Sequence, residues 1–117
     1  AECSAMGSAP SNTFDATWEM DGKTKEDIGK AVVEVTAAHK SWAGKLESAD
    51  PAADEWVWKG THTTKLCKYV DDVTLTIKDG SVSGHSASRV GKEDFGQNKK
   101  NLKQLQQMVL DYKPQSS

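Results

Sequence analysis

Seven polar residues could do chemistry if the fold brings them together. They are Asp71, Asp72, Ser86, Ser88, Arg89, Asp94 and Asn98. A guanidinium beside the free N–H groups at the start of a helix favours an anion, so one interpretation is a polar anion site. The other interpretation is structural: Arg89 pairs with an aspartate, Asp94 caps the helix and Asn98 holds the loop backbone.

Catalysis by a serine of this set would need a base within hydrogen-bond reach of the hydroxyl. His85 adjoins Ser86, but neighbouring residues of a strand point to opposite faces of the sheet. This histidine is therefore poorly placed to activate Ser86 or Ser88. Because the sequence holds no convincing set of nucleophile, base and orienting group, we expect no enzymatic activity.

The histidines and cysteines give little indication of a metal site. His62, Cys67 and His85 lack the close, repeated spacing that zinc ligands show, and we expect no metal or other cofactor. Cys3 and Cys67 could form one disulfide in an oxidising compartment, or they could be two unrelated thiols. Spacing alone does not decide between these two interpretations.

A β-hairpin and the helix after it must position the polar set. Strands are predicted over residues 70–77 and 81–88, joined by the two-residue turn Asp79-Gly80. Counting back from the turn gives three facing pairs: Asp71 with Ser88, Val73 with Ser86, and Ile77 with Val82. The acidic pair and the serines therefore share one end of the hairpin.

Apolar spacing predicts two amphipathic helices. The first has Thr24 as its N-cap and Gly44 as its stop. Its apolar stripe comprises Ile28, Val32, Val35, His39 and Trp42. The second begins with the capping pair Asp94 and Gln97 and ends before Lys113-Pro114. Its stripe comprises Leu102, Leu105, Met108, Val109 and Tyr112.

Thr13–Met20 alternates weakly and is either a short strand or an extended segment. A clearer strand is predicted over residues 55–66, after a loop over 45–54. Trp56 and Trp58 share one face of the strand over 55–66. They are either core residues beneath the helices or an exposed aromatic patch for a partner protein, pigment or lipid. The predicted fold class is α+β, a small and mainly antiparallel β-sheet packed against two amphipathic helices.

The composition indicates one globular domain. The chain has 117 residues, of which 36% are hydrophobic and 27% charged. A net charge of −2 gives no general attraction to nucleic acid. No apolar run approaches membrane-spanning length, so we expect membrane contact only through a partner or a surface patch. We place the domain at 13–113, between an N-terminal arm (1–12) and a C-terminal tail (114–117).

Five short motifs lie between about Leu66 and Met108: Tyr69–Val73, Asp79-Gly80, Ser86–Gly91, Asp94–Gly96 and Asn98–Lys100. Over this stretch the sequence resembles domain-of-unknown-function family 1499, known from bacteria and plastids. The sequence departs from the family pattern at Lys99 and Asn101, where arginine is expected. Lysine keeps the charge but lacks the planar fork that binds an anion bidentately. The resemblance implies an architecture and no particular reaction.

From these observations we expect a non-catalytic accessory or assembly domain that docks onto a larger complex. The resemblance to plastid members makes a photosynthetic thylakoid complex the first place to look if the source is an alga or plant. The chain starts at Ala1 rather than Met, so it is either a processed product whose targeting segment has been removed or only a portion of the protein. We expect an exported or organellar protein, with the chloroplast as first choice and the bacterial periplasm as second. The alternative is a small-molecule or anion-binding domain, which could include an enzyme, centred on Arg89.

Overall fold

The computed structural model describes residues 13–48, 50–64, 68–88 and 97–112. The elements in chain order are β1 (Thr13–Glu19), α1 (Lys25–Ala37), β2 (Trp42–Ser48), β3 (Trp56–Thr63), β4 (Val70–Lys78), β5 (Ser81–Ser88) and α2 (Gln97–Asp111). The five strands form one antiparallel sheet with the order β1-β5-β4-β3-β2. The predicted α+β fold class is therefore confirmed.

The hairpin β4–β5 has the predicted register. Asp71 faces Ser88, Val73 faces Ser86 and Ile77 faces Val82. Gly80 has a φ of 78° in the turn, a backbone conformation that glycine adopts without steric cost. Because the turn fixes the register, it also fixes which side chains of the two strands share a face.

Both helices lie on the same face of the sheet. α1 packs mainly against β2, with further contacts to β3 and β4, and α2 packs against β5 and β1. The inward positions of β4 show the resulting burial: Val73, Leu75 and Ile77 are buried, while Asp72 and Lys78 on the other side are exposed. We call the side without helices the open face; among the described residues, no element covers it.

The first helix begins where the sequence predicts and ends earlier. Thr24 and Asp27 form a capping box, and Ile28 and Val32 are buried against the sheet. The predicted continuation to Trp42 and the predicted loop over 45–54 are both wrong for residues 42–48, which form β2. β2 pairs with β3, so a long-range contact decides this segment.

The tryptophans of β2 and β3 form what we call the tryptophan layer: Trp42, Trp56 and Trp58. Trp56 is 8% exposed and Trp58 is 0% exposed, so the core interpretation holds and the exposed-patch interpretation is wrong. Glycines let these rings approach the backbone. A Cβ at Gly29 would lie 2.9 Å from the Trp56 ring, and one at Gly60 would lie 2.3 Å from the Trp58 ring.

Several predictions fall outside the described residues. They concern the N-terminal arm, the Cys3–Cys67 pairing, Arg89, Asp94 and the C-terminal tail. Within the described ranges, neither helix is long and apolar enough to cross a lipid bilayer.

Candidate functional site

Six polar side chains on the covered face meet where β3, β4 and β5 pass beneath the start of α2. We call this set the polar corner: His62, Asp71, Ser86, Ser88, Asn98 and Asn101. The strand residues occupy inward positions, and the register sets His62 opposite Asp71 and Asp71 opposite Ser88. The asparagines are three residues apart on α2, so they share its sheet-facing side.

Asn98 joins the helix to strand β5. The Ser86 hydroxyl donates a hydrogen bond to Asn98 Oδ1 at 2.7 Å, and Asn98 Nδ2 donates to the Ser88 hydroxyl at 3.0 Å. Asn98 and Ser86 are both 0% exposed. Because a buried amide is costly without partners, these bonds fix how α2 sits on the sheet.

Asn101 joins the helix to strand β4. Its Nδ2 donates to Asp71 Oδ2 at 2.7 Å and also contacts the Ser86 hydroxyl at 3.3 Å. Asp71 is only 3% exposed, so its carboxylate depends on hydrogen bonds that replace the lost water. Asn101 stands where the resemblance leads us to expect arginine, and it supplies a neutral donor to the buried Asp71 carboxylate.

His62 lies at the side of the polar corner that faces the tryptophan layer. Its ring makes an edge contact with Trp42, with centroids 4.8 Å apart. Burial lowers the pKa of His62 from 6.5, and the Asp71 carboxylate partly opposes that shift. The imidazole is therefore neutral near pH 7, and its Nδ1 is buried with no hydrogen-bond partner among the described residues.

The geometry of the polar corner does not favour a serine nucleophile. Strand β4 separates β3 from β5, so His62 lies two strand spacings, roughly 10 Å, from Ser88 and farther still from Ser86. The Ser86 hydroxyl donates its hydrogen bond to Asn98 Oδ1 rather than to a base. The corner's evident physical effect is to pin the first turns of α2 to the hairpin.

The predicted polar set is divided between the two faces. The structure brings together four of its members on the covered face, namely Asp71, Ser86, Ser88 and Asn98. Asp72 is exposed on the opposite face of β4, so grouping both aspartates in one pocket was wrong. Adjacent strand residues alternate between faces, and this rule could have excluded Asp72 in advance.

His85 is also on the open face, as the sequence predicts. Its Nδ1 lies 2.7 Å from Asp15 Oδ1, in an exposed pair across strands β1 and β5. From this position, His85 therefore cannot act as a base for the Ser86 hydroxyl. In the described part of the chain, no three histidine, cysteine or acidic side chains assemble into a group that could hold a metal ion.

Sequence reasoning missed two members of the polar corner. His62 was considered only as a metal ligand, and Asn101 only as a departure from the family pattern. One signal was available for the asparagine: Asn98 and Asn101 fall on the same helical face as Leu102 and Leu105, which are buried. No local signal was available for His62, because its partner Asp71 comes from another strand.

Comparison with known proteins places the chain in a family. No curated protein matches it. The family model described as "Protein of unknown function (DUF1499)" matches residues 3–109, which is most of the chain and extends well beyond the motifs of β4, β5 and α2. This protein therefore belongs to the DUF1499 family.

Proposed function

We propose that this protein is a non-catalytic accessory domain that docks onto a larger protein assembly through the open face of its sheet. The observation that carries the proposal is the composition of that face, on which small hydroxyl side chains are interspersed with charged ones. The hydroxyl side chains are those of Thr13, Thr17, Thr61, Thr63, Thr74, Thr76, Ser81 and Ser83.

Such a surface is suited to binding a protein with little ordering cost. Threonine is β-branched, so its χ1 angle is restricted before any partner arrives. Association then immobilises few side-chain rotamers. Each hydroxyl can donate and accept a hydrogen bond, as the 3.2 Å contact between the Thr17 and Ser83 hydroxyls illustrates.

Charge along the open face supports an oriented interaction with a protein partner. One row of facing positions crosses all five strands: Asp15, His85, Thr74, Lys59 and Lys45. The row begins with a carboxylate at edge strand β1 and ends with two lysines on β3 and β2. A partner with acidic groups opposite the lysines and a basic group opposite Asp15 would bind in one orientation only.

The polar corner is consistent with a non-catalytic role. Its serine hydroxyls are bonded to the Asn98 amide, and its carboxylate accepts from Asn101. These bonds hold α2 on the sheet, and a firmly held helix layer keeps the open face in a fixed shape.

Charge reversal on the open face tests the docking proposal. We expect the native protein to elute in gentle extracts with a much larger assembly rather than at its own 12.7 kDa. The double variant Lys45→Glu and Lys59→Glu should be released from that assembly. Lys100→Glu with Lys103→Glu is the matched control, because those lysines are exposed on α2.

Two outcomes would contradict the proposal. One is a lone monomer in native extract under gentle conditions. The other is a Lys45/Lys59 variant that stays with the assembly as fully as the α2 control does. Circular dichroism of both variants must show the same folded state, so that release reports on docking.

The location of the assembly is a further part of the proposal. The resemblance to plastid members supports a photosynthetic complex of the thylakoid if the source is an alga or plant, with the bacterial periplasm as second choice. Fractionation of the source organism, followed by immunodetection of this chain, tests it. Recovery outside the plastid of an alga or plant would overturn it.

A second candidate function is the binding of a small ligand between the polar corner and the tryptophan layer. It is favoured by three buried nitrogens with no described hydrogen-bond partner: Trp42 Nε1, Trp58 Nε1 and His62 Nδ1. Native proteins leave few such groups unsatisfied. A ligand that accepts from the indoles should raise the melting temperature of the native protein and not that of Trp42→Phe, with phosphate and sulfate as first probes.

A further inference from the structure

A cavity separates the two helices at the end of the domain opposite the polar corner. It lies between α1, the end of α2 and the residues that follow β1, and its volume is about 160 Å³. A cavity of roughly 150 Å³ is large enough for one benzene-sized group. The cavity therefore suits an apolar moiety no larger than a single ring or a short acyl chain.

The floor of the cavity is apolar. It is formed by Met20, Ile28, Ala31 and Val109, all of which are buried. Their side chains offer no hydrogen-bonding group apart from the weakly accepting thioether. An apolar group that covered the floor would bind favourably, because it would remove apolar surface from water.

The rim of the cavity is charged and polar, in contrast to its apolar floor. Lys23 and Lys30 lie on it, and neither ammonium has an ion-pair partner among the described residues. Asp27 also lines the rim, but its Oδ2 accepts a hydrogen bond from the Thr24 backbone N–H at 3.3 Å in the capping box of α1. Tyr112 adds a phenolic hydroxyl, which can donate to an anion.

We propose that this cavity binds a small amphiphilic carboxylate, with its ring or short chain on the apolar floor and its carboxylate between the two lysines. The charge balance supports an anion, because two lysines and one aspartate line the rim, and neither lysine has an ion-pair partner among the described residues. The site is distinct from the open face and from the polar corner, so it can bind whether or not the docking proposal is correct.

Benzoate is the probe, and NMR of the full chain is the measurement. We expect benzoate to shift the Met20 and Ala31 methyl resonances and the Tyr112 ring resonances, with a dissociation constant on the order of 1 mM for so small a ligand. Acetate lacks the ring, and benzyl alcohol lacks the charge. Each should shift the same resonances less at equal concentration.

Two variants separate the roles of rim and floor. Lys23→Gln with Lys30→Gln should weaken benzoate binding by roughly threefold per lysine and leave benzyl alcohol unchanged. Ala31→Met should fill the cavity and abolish the binding of both benzoate and benzyl alcohol. Lys103→Gln, an exposed change on α2, is the control and should behave as the native protein does.

The proposal fails if benzoate leaves the cavity resonances unmoved at tens of millimolar. It also fails if the two-lysine variant binds benzoate as tightly as the Lys103 control does. The lysines are exposed, so their substitution tests the proposal even if Ala31→Met does not fold.

Discussion

The tryptophan layer beneath α1 and the polar corner beneath α2 are both buried, yet they are filled by different means. In the tryptophan layer, large rings occupy the space above glycines, and Trp58 lies where a Cβ of Gly44 or Gly60 would be. In the polar corner, amides, hydroxyls and a carboxylate meet at hydrogen-bond distance.

The difference shows what each half of the domain tolerates. The tryptophan layer depends on shape, so adding one atom in the wrong place should be costly. The polar corner depends on pairing, so removing one partner should be costly because it takes a hydrogen bond away from another buried group. Substitutions in the two regions can therefore separate a core held by shape from a core held by hydrogen bonds.

The first prediction concerns Gly60→Ala. The new Cβ would lie 2.3 Å from the Ala43 carbonyl oxygen and 2.3 Å from the Trp58 ring, so backbone must move. We expect the free energy of unfolding to fall by about 3 kcal/mol, measured by urea denaturation. Gly84→Ala is the matched control, since its tightest contacts would be with the ends of two leucine side chains, at 3.0 and 3.1 Å, and the Trp18 ring lies at an ordinary contact distance of 3.4 Å.

The control should lose about 1 kcal/mol or less, because leucine side chains can adjust and alanine restricts the unfolded chain. Equal losses for Gly60→Ala and Gly84→Ala would show that close packing of Trp58 on the backbone does not limit the tryptophan layer.

The second prediction concerns Asn101→Ala in the polar corner. It removes the donor that lies 2.7 Å from the Asp71 carboxylate, which stays buried. We expect a loss of about 2 kcal/mol in the free energy of unfolding. Gln104→Ala, an exposed change on the same helix, should be nearly neutral. A loss no larger than that of Gln104→Ala would show that the Asp71 bond is dispensable.

The third prediction concerns the pH dependence that His62 imposes. The pKa of His62 in the folded state lies below its value of 6.5 in the unfolded chain. As the pH falls below 6.5, the unfolded state takes up a proton first, so stability falls with a slope of at most about 1.4 kcal/mol per pH unit. This loss continues until the pH passes the folded-state pKa.

The measurement for His62 is urea denaturation between pH 7.5 and pH 5.5. His62→Gln should flatten the decrease in stability below pH 6.5, whereas His39→Gln, at an exposed position, should retain it. An unchanged pH profile for His62→Gln would mean that the imidazole protonates as easily in the folded state as in the unfolded chain.

The fourth prediction is a coupling energy. A double-mutant cycle of Ser86→Ala and Asn98→Ala should give a coupling of about 1 kcal/mol, because the bond is 2.7 Å long and buried. The exposed hydroxyl pair Thr17 and Ser83, 3.2 Å apart on the open face, should show almost none. Similar couplings for the two pairs would remove the distinction between buried and exposed polar contacts.

Much of the fold could be predicted from local patterns. The alternation in β1, β3, β4 and β5 and the Asp79-Gly80 turn predict four strands and the register of the hairpin, and the structure confirms them. The stripe of α2 is also confirmed, with Leu102, Leu105 and Val109 buried. These features depend on residues that are close in sequence.

Strand β2 could not be predicted in the same way. Its inward positions are Trp42, Gly44 and Leu46, so a glycine interrupts the apolar alternation. The spacing of Val35, His39 and Trp42 also fits a helix, and that pattern led to the wrong assignment. Gly44 is needed because the Trp58 ring from β3 occupies the space above it. That requirement arises only when the two strands pair.

Local sequence patterns are enough to specify the periods of β1, β3, β4, β5 and both helices, the tight turn and the register of the hairpin, since these follow from local backbone and side-chain geometry. The assembled structure is needed to show that Trp56 and Trp58 are core, that Asp71 is buried and bonded to Asn101, and that residues 42–48 are a strand. Those outcomes depend on groups distant in sequence, whose burial and hydrogen bonds exist only once the sheet and helices are assembled.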